Sequence, residues 1–90
     1  MDIIKDKNIV YIKNEEGKMI AYCTFPKISE GLAMIDHTVV DPSLRGQGIA
    51  GKLMDKAYES IKEQGLRVRP TCSYAVAWFD KNPEKKDILE

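Results

Sequence analysis

The 90-residue chain is poor in the residues that build metal centres, disulfide scaffolds and redox pairs, with one histidine and two cysteines, Cys23 and Cys72. Neither cysteine belongs to a C-x-x-C pair, and two thiols are too few for a disulfide framework. No metal site is expected. An excess of charge is also lacking, because 14 basic and 14 acidic side chains cancel. No basic block offers a grip to a nucleic-acid backbone. Long apolar runs are missing, and the start, Met1-Asp2-Ile3-Ile4-Lys5-Asp6, has neither the basic nor the apolar region of a secretory signal. Nucleic-acid and membrane partners are therefore not expected, and a cytoplasmic location is. There are no repeats, low-complexity tracts or linkers. With 43% hydrophobic and 31% charged residues, residues 1–90 are expected to form one globular domain.

What is present reads in order along the chain. Ile9-Val10-Tyr11-Ile12 and residues 19–25 are rich in β-branched and aromatic side chains, and Glu15-Glu16-Gly17-Lys18 between them supplies a glycine for a turn. This is a hairpin pattern. Pro26 and the polar residues 27–31 end its second strand, and residues 32–40 supply a third, long strand. The three are expected to form an antiparallel meander. From Ile49 the apolar positions Leu53, Met54, Ala57, Tyr58 and Ile61 recur at three-and-four spacing, with charged residues between them. That period predicts a helix, and Gly65 stands where a helix stops. Residues 66–69 alternate apolar and charged, which completes a strand–helix–strand crossover. Pro70 suggests an edge or a bend. Residues 74–80 form a short apolar helix closed by Asn82-Pro83, and the charged tail from Glu84 is expected to fray.

The informative stretch is Asp41-Pro42-Ser43-Leu44-Arg45-Gly46-Gln47-Gly48-Ile49-Ala50, which leaves a strand and opens a helix. Its glycines let backbone approach a ligand closely, and the free N–H groups of a first helical turn suit an anion such as a phosphate or pyrophosphate. A tight turn whose glycines serve geometry alone would have the same local pattern.

Arg45-Gly46-Gln47-Gly48-Ile49-Ala50 resembles the R/Q-x-x-G-x-G/A signature of the GCN5-related N-acetyltransferases (GNAT). A closer likeness is to a small subgroup of that family, the YjdJ-like or minimal acetyltransferase-like domains. His37-Thr38 before the loop, Pro70-Thr71-Cys72 after the helix, and Phe79 followed by Pro83-Glu84 resemble the same subgroup. The likeness runs from the hairpin to Glu84. It implies an α+β, truncated GNAT-like fold with an antiparallel β-meander followed by a crossover helix, a strand and a short C-terminal helix. It also implies acetyl-CoA as cofactor, with the pyrophosphate on Arg45, Gly46, Gln47, Gly48, Ile49 and Ala50. The pantetheine arm would then lie beside Val39 and Val40, in the manner of an added strand.

Acetyl transfer needs an amine made neutral, oxyanion donors and a proton for the leaving thiolate. His37 is a candidate base near neutral pH, although a structural histidine would look the same. Cys72 stands just before the last helix, whose N-terminus favours a thiolate, and the subgroup resemblance implies a catalytic role for it. A small space-filling thiol is the alternative. Cys23, among Tyr22, Thr24 and Phe25, reads as core, as do Trp78 and Phe79. Two positions depart from the family pattern. Val39 stands where the subgroup commonly has an acidic residue, and Phe79 stands nearest the tyrosine acid of larger members.

The reading is an acetyl-CoA-dependent N-acetyltransferase acting on an amine-bearing small molecule or protein. A non-catalytic CoA or acyl-CoA-binding module, and an interaction domain that retains only the fold, remain as alternatives.

Overall fold

A computed structural model describes residues 2–90; Met1, the first residue of the expected 1–90 domain, lies outside them. Seven strands and two helices follow in chain order. They are β1 (Ile4–Lys5), β2 (Ile9–Lys13), β3 (Met19–Thr24), β4 (Lys27–Ser29), β5 (Leu32–Ile35), β6 (His37–Val40), α1 (Ile49–Glu63), β7 (Arg67–Pro70) and α2 (Ser73–Lys81). The hairpin is as expected, with Tyr11 opposite Tyr22 and Val10 opposite Cys23. Its turn is tied by Asn14, whose Oδ1 accepts from the N–H groups of Glu16 and Lys18 at 3.0 and 2.9 Å. Such a side-chain mimic of a backbone turn is a habit of asparagine.

The expected third strand is broken. At Asp36 the chain passes from one sheet to another: β6 joins a four-stranded sheet in the order β1-β2-β3-β6, while β5 sits in a second sheet, β4-β5-β7. The β3–β6 pairing is antiparallel, as a meander requires, whereas β5 and β7 are parallel and joined across α1. Residues 27–29, read as a polar connection, form the exposed strand β4 against β5. Backbone pairing holds them without any apolar periodicity, so pattern reading misses them.

α1 begins and ends where its periodicity predicts. Its buried face carries Ile49, Leu53, Met54, Ala57, Tyr58 and Ile61, packed against β2, β3 and β6. With Phe25, Ile35, Val68 and Phe79 these residues belong to one core. Fully burying a side chain of this size contributes roughly 1.5–3 kcal/mol. Leu53 is fully buried, so Leu53→Ala would cost about 2–5 kcal/mol. Trp78 and Phe79 pack edge to face, with ring centroids 5.0 Å apart.

The C-terminal tail does not fray. A short helical turn, Pro83–Ile88, buries Ile88, and Leu89 bridges to Val68. Tyr58 donates to Asp87 at 2.7 Å, and Lys62 reaches the same carboxylate at 2.7 Å. Arg67 donates to the Asp87 carbonyl at 2.6 Å, and Arg69 pairs with Glu90. The Asp87 and Glu90 carboxylates thus have partners on α1 and β7, which composition cannot reveal. Among the described residues no helix is long and apolar enough to cross a membrane.

Candidate functional site

The break at Asp36 builds the site. The β5–β7 ladder ends with Ile35 opposite Pro70, and the Ile35 carbonyl accepts from the Thr71 and Cys72 N–H groups at 2.9 and 3.2 Å. Beyond that point β6 turns toward β3 and the other chain turns into α2. The two strands therefore splay, with Cys72 at the vertex and the outer edge of β6 unpaired within its sheet.

A cavity of about 370 Å³ opens beside this splay. Of the residues expected to bind a cofactor, Val40, Arg45, Gly46, Gly48, Ile49 and Ala50 line it, joined by Thr38, Gly51 and Tyr74. Val39 and Gln47 do not line it, since Val39 points to the opposite face of β6 and is 41% exposed. The loop that forms the rim is held from below by buried Leu44 and by Asp41. Asp41 Oδ1 accepts from the Ser43 N–H at 2.9 Å, and this bond holds the Asp41 carboxyl below its ordinary range.

Gly48 immediately precedes α1, in a left-handed conformation with φ 70° and ψ 19°. Gly46 is also left-handed, with φ 84°. A Cβ at either position would meet no protein atom within 4 Å, so both leave open space that a ligand can use. Gly48 offers no side chain to cap the helix, and the first turn carries no acidic residue. The unpaired N–H groups of that turn and the positive end of the helix dipole therefore face a cavity whose lining includes Arg45 and no carboxylate. These residues fit a diphosphate.

Cys72 is the N-cap of α2, and its Sγ accepts from the Ala75 N–H at 3.3 Å. It is half-buried and does not itself line the cavity. Thr38 stands between, with Oγ1 3.7 Å from Cys72 Sγ. The same hydroxyl lies 3.7 Å from Cys23 Sγ and 3.9 Å from Met54 Sδ. Burial pushes the Cys23 thiol up to about 11, in keeping with a core residue.

The structure does not bring His37 to Cys72. Side chains alternate along β6, so Thr38 and Val40 face the core while His37 faces solvent on the other side. There His37 Nδ1 lies 3.3 Å from Asp36 Oδ2, and Asp36 Oδ1 accepts from the Thr24 hydroxyl at 2.5 Å. The sequence does not single out Asp36, and it shows Thr38 only as a part of the His37-Thr38 likeness, without a role. The period-2 parity of Thr38 with Val40 was the available signal for the latter. Phe79 is buried, and Tyr74 instead reaches the cavity, its Oη 3.7 Å from where a Cβ on Gly51 would stand. Burial, with Asp55 nearby, raises the Tyr74 phenol above its ordinary value.

Comparison with known proteins gives four further findings. The model of a family described as GCN5-related N-acetyl-transferase matches residues 9–88. Mycothiol acetyltransferase of Thermobifida fusca is 30% identical over 61 residues, which are 68% of this chain and 19% of that protein. The chain thus spans only about a fifth of that relative's length. The NMR solution structure of a GCN5-like protein from Staphylococcus aureus superposes with a TM-score of 0.79 at 29% identity, covering 99% of this chain and 87% of the other. The Escherichia coli GNAT-family protein YhbS, crystallised in complex with CoA, shares the fold with a TM-score of 0.65 at 24% identity, over 77% of this chain and 42% of its own.

Proposed function

Since the chain belongs to the GCN5-related N-acetyltransferase family, we propose that residues 1–90 act as one acetyl-CoA-dependent N-acetyltransferase unit in which Cys72 carries the acetyl group. The observation that carries this reading is the cavity at the uncapped start of α1, next to the splay where Cys72 sits. Arg45 and the N–H groups from Gly46 to Ala50 hold the diphosphate of acetyl-CoA. The unpaired edge of β6 at Val39 and Val40 lies where the pantetheine amides can pair as an added strand. Acetyl-CoA supplies an acetyl group already activated as a thioester.

The residues at the vertex do the rest. Cys72 presents its sulfur at the head of α2, where the Ala75 N–H and the helix dipole stabilise negative charge. Its Sγ forms a bond to the acetyl carbon as the bond from that carbon to the CoA sulfur breaks. An acceptor amine then forms the N–C bond as the Cys72 S–C bond breaks. In the net reaction the amine loses one proton and the CoA thiol gains one. A thiolate needs no base to attack, so the route works with Phe79 and Val39 at positions where other members offer acid and base. His37 faces away and takes no part in it.

Peptide mass spectrometry tests the reading. Incubation with acetyl-CoA is expected to acetylate Cys72 and leave Cys23 unmodified, and Cys72→Ala is expected to lose amine transfer. If Cys72 stays unlabelled while Cys72→Ala transfers normally, the amine attacks directly and the cysteine route is wrong. A second reading, a module that binds CoA without transferring from it, is favoured by Cys72 lying off the cavity wall. CoA binding by calorimetry with no transfer to a panel of amines would support it.

A further inference from the structure

We propose that Thr38 is a positioning residue that couples the cavity to Cys72; the inference rests on the reading of Cys72 as the acetyl-accepting nucleophile. Among the described residues Thr38 is the cavity-lining residue whose side chain makes a hydrogen-bond contact with the Cys72 sulfur. Its hydroxyl carries one proton and has three sulfur neighbours: Cys23 and Cys72 at 3.7 Å and Met54 at 3.9 Å. A single proton goes to the best acceptor. Met54 offers a thioether, which accepts weakly. Cys23 is fully buried in the core, where burial keeps it a neutral thiol. Only Cys72 sits at a helix N-terminus with a backbone N–H already directed at its sulfur. When Cys72 is anionic, the charge draws the Thr38 proton to it.

The contact joins residues 34 apart in sequence, and it ties the sulfur to the wall of the cavity. The Ala75 N–H at 3.3 Å and the Thr38 hydroxyl at 3.7 Å approach the sulfur from different elements, α2 and β6, and the hydroxyl donates to it when Cys72 is a thiolate. They restrict the Cys72 rotamer and hold its sulfur beside the splay. Thr38→Val keeps the β-branched shape and puts a methyl where the hydroxyl stood, so the space beside Met54 and Cys23 stays filled while the hydroxyl's hydrogen bonds are lost.

The test is the rate of iodoacetamide alkylation of Cys72 across pH, followed by peptide mass spectrometry, with buried Cys23 as the internal reference. In Thr38→Val the rate at neutral pH is expected to fall on the order of tenfold, and the rise of rate with pH to move to higher pH. Thr38→Ser, which restores the hydroxyl, is expected to recover both. A Thr38→Val profile that overlays the wild type overturns the proposal, as does a Thr38→Ser profile that stays with the valine variant. Thr38→Ala is read in the same way if the valine variant does not fold. Alkylation needs no acetyl donor. An intact Thr38 effect without acetyl labelling of Cys72 therefore upholds the positioning role and rejects the transfer route alone.

Discussion

Two glycines three residues apart should respond to alanine with opposite signs, and the difference follows from backbone geometry. Gly48 is left-handed, with φ 70° and ψ 19°, a region that costs an L-residue roughly 1–2 kcal/mol. Gly51 is helical and lies in the first turn of α1, where glycine is roughly 0.5–1 kcal/mol worse than alanine. A Cβ on Gly51 would touch only the Tyr74 hydroxyl, at an ordinary 3.7 Å. For a domain of this size each kcal/mol moves Tm by about 4–8 °C. Gly48→Ala should therefore melt about 4–16 °C below the wild type, and Gly51→Ala about 2–8 °C above it. Thermal melts followed by circular dichroism measure both. Repeating them with saturating CoA adds the binding readout, because a ligand that binds only the folded state raises Tm. The Gly48 methyl would stand in open space at the cavity wall, so the CoA-induced rise should shrink in Gly48→Ala. Gly48→Ala melting at or above the wild type, or both variants falling together, would refute the geometry argued for the start of α1. A full CoA-induced rise in folded Gly48→Ala would remove the loop from the binding site.

Two other outcomes are expected. Arg45 is exposed beside the cavity, so Arg45→Gln should weaken CoA binding about tenfold at low ionic strength and less as salt screens the charge; a loss that does not change with salt would mean that Arg45 acts by shape instead of charge. Asp87 is held below its ordinary value of 3.8 by hydrogen bonds from Lys62 and then Tyr58. A carboxyl lowered by folding contributes stability that is fully present above its unfolded value and is lost as pH falls through the folded one. Asp87→Asn should accordingly lower Tm at neutral pH and converge on the wild type as acid protonates the Asp87 carboxyl below its ordinary 3.8, and a gap that stays constant through that fall in pH would show that the ion pair is not what Asp87 contributes.

Local signals made much of this protein legible before any fold was known. The hairpin and α1 follow from periods of two and of 3.6, which a sequence displays directly. The glycine loop before Ile49 and the place of Cys72 at the head of a helix are equally local, since caps and turns are chosen within a few residues. The tertiary structure decided what depends on distant partners. One continuous run, residues 32–40, is two strands because β7 competes for its first half and β3 for its second. That division opens the splay, puts Cys72 at its vertex and leaves the β6 edge free. Alternation alone puts His37 and Thr38 on opposite faces. Only the packing of α1 over the Thr38 face decides which of them meets a cysteine 34 positions away. The charged tail shows the same limit: composition marks it as polar, and the partners that hold it, Tyr58, Lys62, Arg67 and Arg69, are supplied by the folded surface beneath.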